Sequence, residues 1–134
     1  MTILMIHAFL VQVGGKVLAV PLNRIETTME FDPSAVTFSQ GRAVVSSDKG
    51  TVEVYSLENL LFERGSARAG RKLPMIRYTS RGRTIGLLVD AILKECEIVV
   101  KPLKSPLELM PEYSGATILA DGRIALILDI ENLV

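Results

Sequence analysis

Two side chains in this sequence could open a covalent reaction, and there is one of each kind: His7 and Cys96. A cysteine nucleophile needs a nearby base and a lowered thiol pKa. Cys96 lies between Glu95 and Glu97, whose charge disfavours the thiolate. A zinc site needs three or four ligands, which one histidine and one cysteine do not supply. The stretch "GGK", residues 14–16, lacks the G-x-x-x-x-G-K-[ST] frame of a phosphate-binding loop. The carboxylates are scattered over turns, with no pair placed across a cleft for acid–base work. Arg64, Arg68, Arg71, Lys72, Arg77, Arg81 and Arg83 crowd into twenty residues and could form a phosphate-binding face, whose sign would be salt-dependent RNA binding. The whole chain, however, balances 15 lysines and arginines against 15 aspartates and glutamates, and a dedicated nucleic-acid binder shows a basic excess. There is no tryptophan for base stacking. The inventory describes a module that binds, with no catalytic residues, no cofactor and no metal.

The elements that would position a binding surface are strands. "HAFLVQV" places His7, Phe9, Val11 and Val13 on one face and Ala8, Leu10 and Gln12 on the other. His7 thus continues a core-facing parity. "GGK" turns the chain and "VLAVPL" returns as a second strand, with Pro21 at an edge or at the strand's end. "NRIETTM", residues 23–29, reads as a short helical turn capped by Asn23. "AVTF", "RAVVSS" and "TVEVY" read as strands, with a hairpin turn at "SDKG", and Ser56 caps a helix "LENLLF". Residues 63–72, "ERGSARAGRK", read as a solvated connector. No apolar run approaches the ~20 residues that span a bilayer. The apolar start, Ile3 to Val13, lacks a signal peptide's basic flank and cleavage site. With a single cysteine, a soluble protein of a reducing cytoplasm is expected.

The pattern is written twice. "GKVLAVPLNRI" falls on "GRTIGLLVDAI" with Gly15 on Gly82, a shift of 67 residues. "VEVYSLENLL" falls on "ALILDIENLV" with a shift of 73. A repeat of this length is too long for a solenoid unit and suits two small barrels. The expectation is one domain over residues 1–134, with residues 1–66 as the first barrel and 67–134 as the second. The fold class is mainly β: two intertwined five-stranded SH3-like barrels related by a pseudo-twofold, with short helices. A buried partner contact needs a desolvated apolar centre. Val44, Val45, Val52 and Val54 form a pool of candidates in the first barrel, half of them core by parity. Leu88, Ile98 and Val100 are the candidates in the second. "IALIL", residues 124–128, is apolar on both faces, so the usual water-facing side is expected to be covered.

Three segments in order resemble a known family. "AFLVQVGGKVLAVPLNRIETTM" is similar to the opening, "TIGLLVDAILKECEIVVKPL" to the middle, and "SGATILADGRIALILDIENLV" to the C-terminal signature of the CheW-like regulatory domain of chemotaxis histidine kinases, CheA. "TILMIHAFLVQV", "KPL" and "SGATIL" resemble the kinase version more than the free adaptor CheW. Adaptors usually carry an "NLRG"-like phrase where this chain reads "SSDKG". The resemblance implies a pair of SH3-like barrels that does no catalysis, within a longer kinase. Its implied partners are the CheW adaptor, the chemoreceptor's cytoplasmic tip and the other domains of the parent kinase, in receptor arrays on the cytoplasmic side of the membrane, with no nucleic acid and no membrane insertion. A stand-alone CheW-type adaptor is the alternative.

Overall fold

The structure, a computed structural model, describes residues 3–39, 42–47, 50–62 and 72–134. Two tight hairpins set its pattern. Gly14 and Gly15, at φ 57° and 83°, turn strand β1 (Leu4–Val13) into β2 (Lys16–Pro21). Arg81 and Gly82, at φ 51° and 80°, do the same between β7 (Leu73–Ser80) and β8 (Arg83–Leu88). Two successive positive φ values make the type I′ turn, whose twist matches that of the flanking strands. The two hairpins have one register, Val13 opposite Lys16 and Ser80 opposite Arg83, so the shift of 67 holds in the pairing as well as in the letters.

The remaining strands are β3 (Ile25–Phe31), β4 (Thr37–Ser39), β5 (Arg42–Ser47), β6 (Gly50–Ser56), β9 (Ala91–Val100), β10 (Tyr113–Ile118) and β11 (Ile124–Leu128). Helix α1 (Leu57–Phe62) follows β6, and its Asn59 N–H donates to Ser56 Oγ at 3.3 Å, the cap expected of that serine. The counterpart after β11 is a single 3₁₀ turn, Ile130–Asn132. Other 3₁₀ turns occupy Leu22–Arg24, Pro33–Ala35 and Leu107–Leu109.

Several expectations are corrected. Residues 25–29 are strand β3 and not helix. They pair with β7, Thr28 opposite Ile76 and Met29 opposite Met75. β3 is exposed along most of its length, so it lacks the apolar alternation that announces a strand. Asn23 lies inside the 3₁₀ turn and does not cap a helix. "AVTF" is divided between a 3₁₀ turn and β4. Residues 48 and 49 of the hairpin turn and the connector at 63–71 lie outside the described residues.

The boundary between barrels is also corrected. The chain forms two compact units, and the division is not at residue 66. One unit joins the described residues up to Asn23 with Ile92–Val134; the other is Arg24–Ala91. The first holds a five-stranded sheet in the order β10-β11-β2-β1-β9, the second a six-stranded sheet in the order β3-β7-β8-β6-β5-β4. Each sheet thus takes its tight hairpin from one repeat and its other strands from the other repeat. The joint is a parallel pair. β6 runs beside β8 with Val54 opposite Gly86, and β11 runs beside β2 with Ile127 opposite Ala19. These pairs are equivalent under the shifts of 67 and 73, so the register of the joint repeats to the residue.

In the first unit Ala8, Leu10, Ala19, Ile98 and Ile127 form the core. His7 is exposed, against the parity argument, because the sheet is covered around Ala8 to Val13 and His7 lies beyond that. In the second unit Val52, Leu57, Met75, Ile76, Ile85 and Leu87 are buried. Gly86 leaves room for Met75: a Cβ built on it would lie 2.5 Å from Met75 Sδ, so any side chain there would displace that buried methionine. Arg81 is the one described non-glycine residue with positive φ. Arg81→Gly is expected to stabilise the protein by about 0.5–1 kcal/mol, and Gly82→Ala to destabilise it by about 1 kcal/mol. Urea unfolding of the three proteins checks both signs.

Candidate interaction surface

The groups able to do chemistry are not brought together. His7 Nε2 lies 3.3 Å from a Glu97 carboxylate oxygen on β9, with 62% of the His7 side chain exposed. Cys96 is half-buried and packs against the core of the first unit. Among the described residues no three histidines, cysteines or carboxylates cluster as a metal site would need.

Of the four described cations of the cluster, three face carboxylates. Arg64, Arg68 and Arg71 lie outside the described residues. Arg77 Nη2 is 3.8 Å from Glu26, Lys72 Nζ is 3.7 Å from Glu30, and Arg83 Nη1 is 3.2 Å from Glu53. Cross-strand spacing puts these opposite charges within reach, and a partnered cation is a weak phosphate ligand. Glu53 is the busiest of the three carboxylates. It accepts from Tyr55 Oη on its own strand and from Arg42 Nη1 and Arg83 Nη1 on the two flanking strands, β5 and β8. The Tyr55 hydrogen bond, then the two arginines, hold its carboxyl below the usual range. A depressed native pKa adds stability at pH above the unfolded value and loses it as pH falls through the native one. Glu53→Gln is therefore expected to cost about 1 kcal/mol at neutral pH. The cost should fade as the buffer is taken below the ordinary carboxylate range, as denaturation midpoints across pH would report.

The seven apolar candidates divide. Val44, Val52 and Ile98 are buried, and Ile98 belongs to the core of the first unit. They cannot anchor a partner without unfolding: Val44 and Val52 are the half of the first-barrel pool that lies in the core, and for Ile98 the burial corrects the nomination. Each of β5, β6 and β9 has one buried residue among those described, with half-buried neighbours on the other parity, so parity alone does not say which face is covered. Val45, Val54, Leu88 and Val100 are half-buried. Val100 stands in the wall of an apolar groove of about 730 Å³ with Leu4, Met5, Pro21, Leu22 and Ile127.

The most exposed apolar side chains are ones that sequence parity passed over. In the second unit Phe38, on edge strand β4, is 76% exposed. In the first, Ile118 and Ile124 oppose each other across the β10–β11 hairpin and are 57% and 68% exposed. Leu4, Met5 and Leu109 are exposed as well. "IALIL" accordingly keeps Ile124 in solvent, while Ala125, Ile127 and Leu128 are buried. The available signal was position: each residue lies at an edge or next to a turn, where burial is least. Exposed apolar side chains of this kind on each unit suit protein association better than catalysis.

The model of the CheW-like domain matches residues 7–134. The chain belongs to the CheW-like domain family. It is 29% identical over its full length to the chemotaxis protein CheA of Rhizobium meliloti and 30% identical over 98% of its length to CheA of Listeria innocua. It covers 18% and 21% of those proteins, so it spans about a fifth of the curated relatives it matches. The scaffolding protein TtCheW from Thermoanaerobacter tengcongensis has the same fold, with a TM-score of 0.79 over 97% of this chain and 92% of that one, at 14% identity. The mainly β architecture agrees with the pair of SH3-like barrels that the CheW fold comprises.

Proposed function

We propose that this CheW-like domain is the non-catalytic regulatory and scaffolding domain of a CheA-type chemotaxis histidine kinase. It binds the CheW adaptor, the cytoplasmic tip of the chemoreceptor and the other domains of its kinase within arrays at the membrane. The observation that carries this reading is the match of essentially the whole chain to about a fifth of several CheA proteins. A free CheW-type adaptor is the second reading, favoured by the likeness of fold to TtCheW.

In either setting the domain acts through binding energy. A contribution that differs between receptor states shifts the kinase equilibrium. Couplings of this kind amount to about 1–3 kcal/mol, or about 5–150-fold. Val45, Val54, Leu88 and Val100 are the contact candidates that the packing leaves accessible. No group on the chain need move a phosphoryl group for this role.

The test uses calorimetric titration with a CheW-type adaptor. Val100→Asp is expected to weaken binding by about tenfold or more, which is about 1.4 kcal/mol, and to leave the circular dichroism spectrum unchanged. Ile98→Asp is expected to cost about 3 kcal/mol or more of stability, because it buries an unpaired charge. Normal binding by charged variants at all four half-buried positions would contradict this surface. Binding to RNA that weakens steeply with salt, with none to the adaptor, would contradict the scaffolding reading itself.

A further inference from the structure

The chain crosses between its two compact units twice, and the two crossings are built differently. The second, between Ala91 and Ile92, lies inside strand β9. The approach to it is pinned, because Val89 is buried and its N–H donates to the Pro74 carbonyl at 3.2 Å. The first crossing, between Asn23 and Arg24, lies in the 3₁₀ turn Leu22–Arg24, which buries none of its residues. Leu22 is the repeat counterpart of Val89 under the shift of 67, and it is only half-buried. One crossing is thus fixed in a strand, and the other sits at an exposed turn where the chain can hinge.

The hinge carries the β1–β2 hairpin. In the parallel joint this hairpin is held by the shorter ladder, two pairs, Leu18 with Leu126 and Ala19 with Ile127. The β7–β8 hairpin is held by four, from Glu53 with Ile85 to Ser56 with Leu88. On the other side of β1 lies β9. The whole of the second unit, Arg24–Ala91, therefore separates the hairpin from the strands that receive it.

A released hairpin needs a host. Ala8, Leu10 and Ala19 are its share of the first unit's core, and Ile98 and Ile127 are the share of the receiving strands. A two-stranded hairpin alone is at best marginally stable in water. A second copy of the chain offers β9 and β11 with the same residues in the same register. What the hairpin buries in its own chain it buries equally in another, so exchange between copies costs the entropy of association and a changed hinge turn, and little else.

We propose that two copies of this chain exchange their β1–β2 hairpins about the turn Leu22–Arg24, so that each first unit of the dimer is built from two chains. The partner is a second copy because the host must present β11 to Leu18 and Ala19 in this register. The element exchanged is β1–β2 and not β7–β8, because the link after β8 is pinned at Val89 and its ladder is the longer one. The exchange is the same whether the chain belongs to a kinase or to an adaptor.

The test uses the full chain. Isotope-labelled and unlabelled copies are mixed in equal amounts at millimolar concentration, held near the thermal midpoint, cooled and separated by size. The dimer-to-monomer ratio is expected to rise about tenfold for each tenfold rise in free monomer, as mass action requires. In the dimer, half-filtered Overhauser spectra should show the Ala19 methyl of one chain against Ile127 of the other, while Val54 and Gly86 keep their contact within one chain. Deletion of Asn23 shortens the hinge and should raise the ratio by about tenfold or more; insertion of Gly-Ser-Gly between Asn23 and Arg24 eases the return of the hairpin to its own chain and should lower it by about the same factor. If the deletion variant unfolds, the native chain and the insertion variant decide. Four results would overturn the proposal: monomer at every concentration, a dimer whose Ala19–Ile127 contact stays within one chain, contact between chains at Val54–Gly86 in its place, or a ratio indifferent to hinge length.

Discussion

Everything in this structure depends on two short parallel pairings, β6 with β8 and β11 with β2. Neither tight hairpin completes its sheet with the strands of its own repeat. Each lies beside the closing strand of the other repeat, and the chain passes between the units twice to achieve this. Parallel neighbours need a crossover connection, so the pairing also dictates the long excursions of the chain between the hairpins and their mates. At the joint the facing residues are small on the hairpin side, Ala19 in one unit and Gly86 in the other. In the second unit that space is taken by Met75. In the first unit Ala19 and Ile127 are part of the core. In the first unit the joint is therefore also part of the apolar interior.

The repeat and its two shifts were legible in the letters, and the pairing reproduces both of them to the residue. The hairpin turns were legible at "GGK", since two glycines in succession permit two positive φ values. "RGR" encodes the same turn less openly, with Arg81 bearing strain that a glycine would remove. The assignment of strands to barrels was not legible. The repeat says that two similar sheets form, and it is equally satisfied by hairpins kept at home and by hairpins exchanged. Only the parallel register distinguishes the two. β3 was missed for a different reason: its residues are mostly exposed and polar, so it is a strand by virtue of pairing with β7 and not by pattern.

The candidate surface was legible in kind and only partly in place. An apolar excess without catalytic residues pointed to association. Parity puts Val44 and Val45 on opposite faces of β5 but does not say which face is buried, and it is Val44 that is buried. The exposed residues Phe38, Ile118 and Ile124 owe their exposure to an edge and a hairpin end, which are properties of topology. Arg77 and Arg83, two of the arginines that suggested nucleic acid, are held by Glu26 and Glu53 across neighbouring strands. That pairing too becomes visible only once β3, β6, β7 and β8 are set side by side.

The exchange of hairpins is tested most directly by nuclear Overhauser contacts in the intact chain. The account predicts contacts between Val54 and Gly86, and between the Ala19 methyl and Ile127, as the parallel registers require. Hairpins retained by their own repeats would give the opposite pairs, Val54 with Ala19 and Ile127 with Gly86. Observation of those two pairs in place of the first two would contradict the account.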